Sequence, residues 1–210
     1  MLIKGLKRLE YRGYDSAGLA IMSDDSFMVN KKAGKVAELE SLVSESGLTG
    51  SVGIGHTRWA THGEPSDLNA HPHTDYSGKF ALIHNGIIEN HSTLKKMLEQ
   101  KGVEFRTQTD TEVLVQLISN IYHEQDTTFE TAVTSALEKV VGTYGIVVMC
   151  SDEPNQLIAA RLGSPLVLGV GEGEYFIASD ASPLVEYTRN VIYLGDRECL
   201  FIGDDGYKIK

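Results

Sequence analysis

The stretch His56-Thr-Arg-Trp-Ala-Thr-His-Gly63 carries the strongest structural and functional signal in this 210-residue chain. It follows a short glycine-rich segment, residues 51–56, that predicts a strand delivering the motif at its end. Arg58 offers a planar guanidinium whose fork of N–H groups matches a carboxylate. Taken singly, an arginine usually forms a surface salt bridge, and Trp59 could be a core anchor. Their combination at one strand end is hard to explain by packing and predicts a binding site.

Two later segments add to this motif: Asn69-Ala-His-Pro-His73 and His84-Asn-Gly-Ile-Ile-Glu89. Asn85 offers a side-chain amide and Gly86 an uncrowded backbone N–H, which are the parts of an oxyanion hole. An isolated Asn-Gly pair is usually a plain turn. Here the two isoleucines that follow have no matching antiparallel strand in the sequence, which disfavours a hairpin. Groups that grip a small amino acid and stabilise an oxyanion indicate amide hydrolysis.

Acidic and imidazole side chains complete the candidate site. Asp110 starts a predicted helix, where an acid is favoured by the helix dipole, but the surrounding motifs favour a role in binding an ammonium group. Six of the seven histidines lie between positions 56 and 91. Their spacings give only weak support to zinc, because no H-x-x-x-H pattern lies on a helix. The sequence therefore predicts neither a metal nor a cofactor, and the histidines are expected to orient a loop around a pocket.

Bulk properties exclude several classes of partner. The net charge of −10 disfavours nucleic acid and anionic membranes, and no apolar run approaches the length of a membrane span. Cys150 and Cys199 lie in apolar, strand-like surroundings and are expected to be buried and reduced, which predicts a cytoplasmic protein. Neither resembles an activated nucleophile.

The order of predicted elements indicates a single domain with segregated α+β layers. Ser92 and Thr109 are the predicted caps of two helices, the second with Glu112 at capping-box spacing. Helices are predicted over residues 1–9, 35–44, 92–100, 112–123 and 128–140. Strands are predicted over residues 19–22, 27–29, 51–56, 80–84, 146–150, 157–160, 166–170, 175–178, 191–193 and 199–202.

The motifs together resemble the glutaminase domains of the glutamine–fructose-6-phosphate aminotransferase family, which are class II glutamine amidotransferases. The resemblance covers nearly the whole chain. It rests on these segments: Leu9-Glu-Tyr-Arg-Gly-Tyr-Asp-Ser-Ala-Gly18, His56-Thr-Arg-Trp-Ala-Thr-His-Gly-Glu-Pro65, Asn69-Ala-His-Pro-His73, His84-Asn-Gly-Ile-Ile-Glu-Asn90, Thr109-Asp-Thr-Glu112, Gly163-Ser-Pro165 and Ala178-Ser-Asp180.

This resemblance implies a fold and a set of roles. The fold is the N-terminal-nucleophile hydrolase type, a four-layer αββα sandwich with two mainly antiparallel sheets. The implied activity is hydrolysis of glutamine to glutamate, with ammonia passed to a sugar-phosphate isomerase domain for glucosamine 6-phosphate synthesis. The implied site residues are Arg58 for the α-carboxylate, Asp110 for the α-ammonium, Asn85 and Gly86 for the oxyanion, a closing loop with Trp59, Thr61 and His62, and His71 nearby.

The chain departs from the family at its N-terminus. The family nucleophile is an N-terminal cysteine that opens a strand of the type Cys-Gly-Ile-Val-Gly and uses its own α-amine as base. This chain starts with Met1, inside the helix that would follow. We therefore expect residues 1–210 to be an N-terminally truncated glutaminase domain, without the isomerase domain and inactive alone.

Two alternatives stay open at this point. The chain could be a non-catalytic remnant that binds glutamine or glutamate, or the glutaminase module of a different class II amidotransferase. A homodimer formed through a full-length protein is an arrangement that the resemblance allows.

Overall fold

The computed structural model describes residues 1–23 and 26–210 of the chain. The helices are α1 (Leu2–Leu9), α2 (Val36–Ser46), α3 (His91–Gln100), α4 (Asp110–Gln125) and α5 (Phe129–Leu137), with a 3₁₀ turn at Glu10–Arg12. The strands are β1 (Ser16–Ser23), β2 (Ser26–Ala33), β3 (Gly53–Arg58), β4 (His73–Thr74), β5 (Phe80–Ile88), β6 (Gly142–Cys150), β7 (Leu157–Leu162), β8 (Val167–Val170), β9 (Tyr175–Ala178), β10 (Val191–Tyr193), β11 (Cys199–Gly203) and β12 (Gly206–Ile209).

The strands form three sheets. One has six strands in the order β12-β11-β7-β6-β5-β4, and the other two have three strands each, β2-β1-β3 and β10-β8-β9. Every ladder between these strands is antiparallel. Both small sheets pack on one face of the six-stranded sheet, through Ala20 and Ile54 of one and Leu168 of the other. The predicted second sheet is therefore divided into two.

Helices cover the outer faces. α3, α4 and α5 pack on the six-stranded sheet in a core that includes Phe80, Leu98, Ile118 and Phe129. α1 and α2 pack on the β2-β1-β3 sheet through a smaller core around Leu19. Successive side chains of a strand point to opposite faces of the sheet. In β1, Leu19 therefore packs against the helices, and Ala20 packs against the six-stranded sheet. The layers run helix, sheet, sheet, helix. Among the described residues, none of the helices combines the length and the apolar character that a membrane span requires.

The Asn85-Gly86 pair lies inside a strand. β5 continues to Ile88, because Ile87 pairs with Thr143 and Ile88 with Gly142 of β6. The prediction that the strand ends at residue 84, with no antiparallel partner for the isoleucines, is wrong. The partner was missed because β6 begins with a weakly apolar, glycine-containing stretch, residues 142–145, that carries little strand signal.

Of the two predicted helix caps, one is confirmed and one is wrong. Thr109 caps α4, its Oγ1 accepting from the Glu112 N–H at 3.2 Å. α3 begins at His91 with Asn90 in the cap position, and Ser92 is inside the helix. Strand β12 was not predicted, since its sequence is short and largely polar.

Candidate active site

A groove of about 1170 Å³ runs between the edges of two sheets. One wall is β3, which pairs with β1 on its other side, and the opposite wall is β9, which pairs with β8. Every residue of both strands lines the groove. Sheet edges present main-chain N–H and C=O groups, to which an extended segment can add as a further strand.

Arg58 is the last residue of β3, lies at one end of the groove and is only 4% exposed. Its Nη2 donates to the main-chain carbonyls of His62 and Gly63, the second at 3.2 Å. Its Nη1 is buried without a hydrogen-bond partner among the described residues, and Asp15 Oδ1 is 3.9 Å away. Burial lowers the pKa of Arg58 while Asp15 and Asp110 raise it, and a guanidinium remains charged in proteins. The free Nη1 is the kind of donor that binds an anionic group.

Asp110 is the first residue of α4 and is buried. Its Oδ2 accepts from the Ile88 N–H at 2.8 Å, which ties the helix start to β5. Its Oδ1 lies 3.9 Å from Nδ1 of His62, a buried ring nitrogen without a hydrogen-bond partner among the described residues. His62 therefore links the two charged groups, since its carbonyl accepts from Arg58 and its ring faces Asp110. A cation and a carboxylate at one end of a groove suit the two charged groups of an α-amino acid.

Asn85 lines the same groove from β5. Its Oδ1 lies 2.9 Å from Nε2 of His56. Burial lowers the pKa of His56 to about 4, so this ring is neutral at pH 7. The structure thus brings Arg58, Asp110 and the Asn85-Gly86 pair to one groove, and His56 joins them as a contact of Asn85.

Gly86 has a backbone conformation that excludes a side chain. Its φ is +134°, and a Cβ placed there would lie 2.1 Å from the main-chain oxygen of Thr143. Along β5 the N–H groups alternate in direction. Since the Ile88 N–H points to Asp110, away from β6, the Gly86 N–H is expected to point to the same open edge.

We expect Gly86→Ala to destabilise the domain by roughly 2–4 kcal/mol, through the combined cost of overpacking and an unfavourable φ. Gly78→Ala is the matched control, because Gly78 also has a positive φ, +74°, but no atom lies within 4 Å of its Cβ position. That control should cost only about 1 kcal/mol. Urea denaturation measures both, and equal losses would show that contact with Thr143 is unimportant.

The loop after Arg58 is only partly buried. Trp59 is 69% exposed, and its ring packs on the backbone of Gly13, where a Cβ would lie 2.1 Å from Trp59 Cζ3. Thr61 is exposed as well. His71 is buried with its ring against His56, the two ring centroids 4.4 Å apart. Trp59 and Thr61 therefore lie at the rim of the groove, and His71 lines it next to His56.

One residue that supports the site, Asp15, was not predicted from the sequence as a site residue. Asp15 accepts through Oδ2 from the Ala60 N–H and faces Arg58 through Oδ1. It lies within the segment of residues 9–18 that supports the family resemblance, but its partner is 45 positions away. Only the pairing of β1 with β3 brings the two together.

Both cysteines face away from the groove. Cys150 is buried and Cys199 is partly buried, and both pack in the core shared with α3, α4 and α5. Cys150 pairs with Phe80, at the opposite end of β5 from Asn85, a separation of roughly 17 Å along the strand. Burial raises the pKa of Cys150 to about 11 and that of Cys199 as well. Both are unpaired, as expected for reduced thiols.

Within residues 1–23 and 26–210, no group of three or more histidine, cysteine or acidic side chains is arranged to hold a metal ion. The histidines instead contact one another and neighbouring hydroxyl groups. His84 Nδ1 lies 3.1 Å from Thr111 Oγ1, and His73 Nε2 lies 3.1 Å from Thr109 Oγ1.

Comparison with known proteins places these features in a family. The family described as glutamine amidotransferase domain matches residues 56–186. The glutamine–fructose-6-phosphate aminotransferase (isomerizing) of Bacteroides thetaiotaomicron is 56% identical over 203 residues, covering 96% of this chain and 33% of that protein. The corresponding protein of Chlorobaculum tepidum is 54% identical over 214 residues, covering 100% of this chain and 35% of that protein.

A solved structure gives the same result for the fold. The glutamine phosphoribosylpyrophosphate amidotransferase from B. subtilis superposes with a TM-score of 0.84 at 28% identity, over 99% of this chain and 45% of that one. The predicted amidotransferase fold, with helices outside two layers of antiparallel sheet, is confirmed. The chain spans about a third of the length of the aminotransferases that it matches.

Proposed function

This chain belongs to the glutamine amidotransferase domain family, and on that premise we propose that it is the glutamine-hydrolysing domain of a glutamine–fructose-6-phosphate aminotransferase. In that role it releases ammonia for glucosamine 6-phosphate synthesis. The observation that carries the proposal is the buried Nη1 of Arg58, which has no hydrogen-bond partner within residues 1–23 and 26–210 and lies at the end of a groove that Asp110 and Asn85 also line.

The proposed roles follow from charge and geometry. Arg58 binds the α-carboxylate of glutamine, and Asp110 binds its α-ammonium group. The Asn85 amide and the Gly86 N–H stabilise the oxyanion that forms when the side-chain amide is attacked. Trp59, Thr61 and His62 belong to a loop that closes over the substrate, and His71 supports the site through its contact with His56.

Arg58 also couples the loop to the substrate. Its Nη2 donates to the carbonyls of residues 62 and 63, whereas Nη1 has no hydrogen-bond partner among the described residues. A bidentate contact with a carboxylate requires Nη2 as well, and the carboxylate must then displace the loop carbonyls. Binding of the α-carboxylate would thereby release the loop to move over the groove.

The groove is long enough to hold a segment that carries the nucleophile. We propose that an extended segment of the type Cys-Gly-Ile-Val-Gly lies between β3 and β9 and joins the two small sheets into one. β3 has six residues, about 20 Å in length, and an extended five-residue segment spans roughly 17 Å. With its cysteine at the Arg58 end, beside Asn85, such a segment runs antiparallel to β3.

The wider assignment rests on the relatives. We propose a sugar-phosphate isomerase domain as the partner that uses the ammonia, a homodimer formed through the full-length protein, and a cytoplasmic location. Two unpaired cysteines support the last of these. The alternative of a different class II amidotransferase is less well supported, because the amidotransferase from B. subtilis is 28% identical while the aminotransferases reach 56%.

Ligand binding tests the proposed roles. Arg58→Ala should weaken L-glutamate binding by about 10- to 100-fold, the effect of losing a charge-assisted hydrogen bond. Arg161→Ala is the matched control, since Arg161 is a half-buried arginine outside the groove that bonds Leu194 and Asp196. Its effect should be under threefold.

Isothermal titration calorimetry on the three proteins gives the comparison, with melting temperatures to establish that each variant folds. Arg58→Lys separates charge from geometry, because lysine keeps the charge and loses the fork. Equal losses in the Arg58→Ala and Arg161→Ala variants would reject the assignment of Arg58.

A further inference from the structure

Three buried imidazoles form a row that starts beside Asn85. Nε2 of His56 lies 2.9 Å from Asn85 Oδ1. The ring of His56 packs against that of His71 at a tilt of 40°, with 4.4 Å between the centroids, and the rings of His71 and His73 meet edge to face at 4.9 Å. All three histidines are at most 7% exposed. The amide of Asn85 therefore contacts a ring that is itself packed against a second imidazole.

The surroundings of His56 select one tautomer. A neutral imidazole carries a single N–H, on one of its two nitrogens. Nδ1 of His56 is buried without a hydrogen-bond partner among the described residues. A proton there would be a buried donor with no acceptor, which is rare and costly. A proton on Nε2 is instead donated to Asn85 Oδ1, and close packing against His71 opposes rotation of the ring.

The tautomer of His56 in turn fixes the orientation of the Asn85 amide. With Oδ1 accepting from His56, the NH₂ group is on the other branch of the amide and is available to the groove. The opposite amide rotamer would place NH₂ against the His56 N–H and present a carbonyl oxygen to the groove. That oxygen would repel an oxyanion, whereas the NH₂ group stabilises one.

We propose that His56 is a positioning residue that holds the Asn85 amide with its NH₂ group towards the groove. This inference rests on the proposed oxyanion role of Asn85. His84 has a different function, since its ring bonds Thr111 and the Thr143 carbonyl and not Asn85. His56 is thus the imidazole that acts on the amide directly.

The first test determines the tautomer of His56 in the 210-residue chain itself. Nitrogen-15 NMR of the histidine-labelled protein at pH 7 should show His56 with its proton on Nε2, assigned by loss of the signals in His56→Gln. In Asn85→Leu, which removes the acceptor, exchange of that Nε2 proton with water should be faster. A proton on Nδ1 in the unsubstituted chain would overturn the proposal, whether or not the domain binds glutamine.

The second test compares two ligands. L-Glutamate places a carboxylate oxygen near Asn85, whereas L-norvaline has the same backbone groups and an apolar side chain. His56→Leu should reduce glutamate affinity at least tenfold more than norvaline affinity, because only glutamate meets the misoriented amide. His56→Gln, whose side-chain NH₂ can donate to Asn85, should restore most of the difference.

Equal losses for both ligands, or no rescue by glutamine, would mean that His56 has only a structural role. If neither ligand binds the unsubstituted chain, the proposed substrate site is wrong, and the NMR result still decides the orientation of Asn85.

Discussion

Glutaminase activity should rise at least about a thousandfold when the chain is extended at its N-terminus by a Cys-Gly-Ile-Val-Gly segment with a free α-amine. The 210-residue chain holds groups that bind glutamine and stabilise an oxyanion, but both of its cysteines pack on the helical face of the six-stranded sheet. Neither thiol can reach an amide held beside Asn85. A cysteine at the Arg58 end of the groove supplies the thiol and, through its own amine, the base.

Glutamate release from glutamine, measured for both proteins at equal concentration, tests this expectation. An extension that begins with serine is the matched control, since it fills the same groove without a thiol. Cys150→Ser in the extended protein should leave the rate unchanged, because Cys150 lies in the helix-facing core. Comparable rates in the unextended chain, or with the serine extension, would show that the nucleophile comes from elsewhere and favour the non-catalytic interpretation.

The same extension should stabilise the fold. Both the cysteine and the serine forms should melt roughly 5 °C or more above the 210-residue chain, since each kcal/mol gives about 2–4 °C in a domain of this size. The added strand pairs with the exposed edges of β3 and β9 and covers partly exposed apolar side chains of the groove that pack on the inner core, among them Ile83 and Ile177. Identical melting temperatures would mean that the segment does not enter the groove.

Local signals in the sequence predicted most elements of this fold. Apolar periodicity gave the helices, and the Thr109 and Glu112 spacing gave the start of α4, because a cap depends on residues within one turn. Glu112 nevertheless departs from the capping box, since its carboxylate accepts from the N–H groups of Arg106 and Thr107. Contacts outside the helix decided where that side chain points.

Long-range contacts account for what was missed. Whether Asn85-Gly86 is a turn or part of a strand depends on β6, which pairs with it from almost sixty residues away. The contact of His56 with Asn85 spans 29 positions. Sequence motifs named the residues that face the groove, but the side chains that orient them became visible only when β1, β3 and β5 were placed side by side.

The domain should also lose most of its stability in mild acid, because the three buried histidines of the row resist protonation. Burial lowers the pKa of His56 to about 4, and burial lowers the pKa values of His71 and His73 well below the usual range. In the unfolded chain all three titrate near pH 6.5. Below that pH these three histidines let the unfolded state bind up to three more protons than the folded state, and His84, whose pKa burial also lowers, adds to the difference. Stability therefore falls as the pH falls.

The size of this effect follows from proton linkage. Each proton contributes about 1.4 kcal/mol per pH unit, so three histidines give roughly 4 kcal/mol per unit once the pH is well below 6.5. A typical domain is stable by only about 5–15 kcal/mol, so we expect acid unfolding between about pH 4 and pH 5.5. The depressed pKa of Asp180, about 2, matters only at lower pH and does not explain a transition in this window.

Urea denaturation at a series of pH values from 7.5 to 5 measures the slope directly. His71→Gln should reduce the slope by about a quarter to a third, because it removes one of the linked protons of His84 and the three histidines in the row. His123→Gln is the matched control, since His123 is exposed and folding does not bury its ring. A stability that stays constant from pH 7 to pH 5 would show that the row of imidazoles accepts protons without unfolding. The neutral ring that we assign to His56 in orienting Asn85 would then be wrong at the lower end of that range.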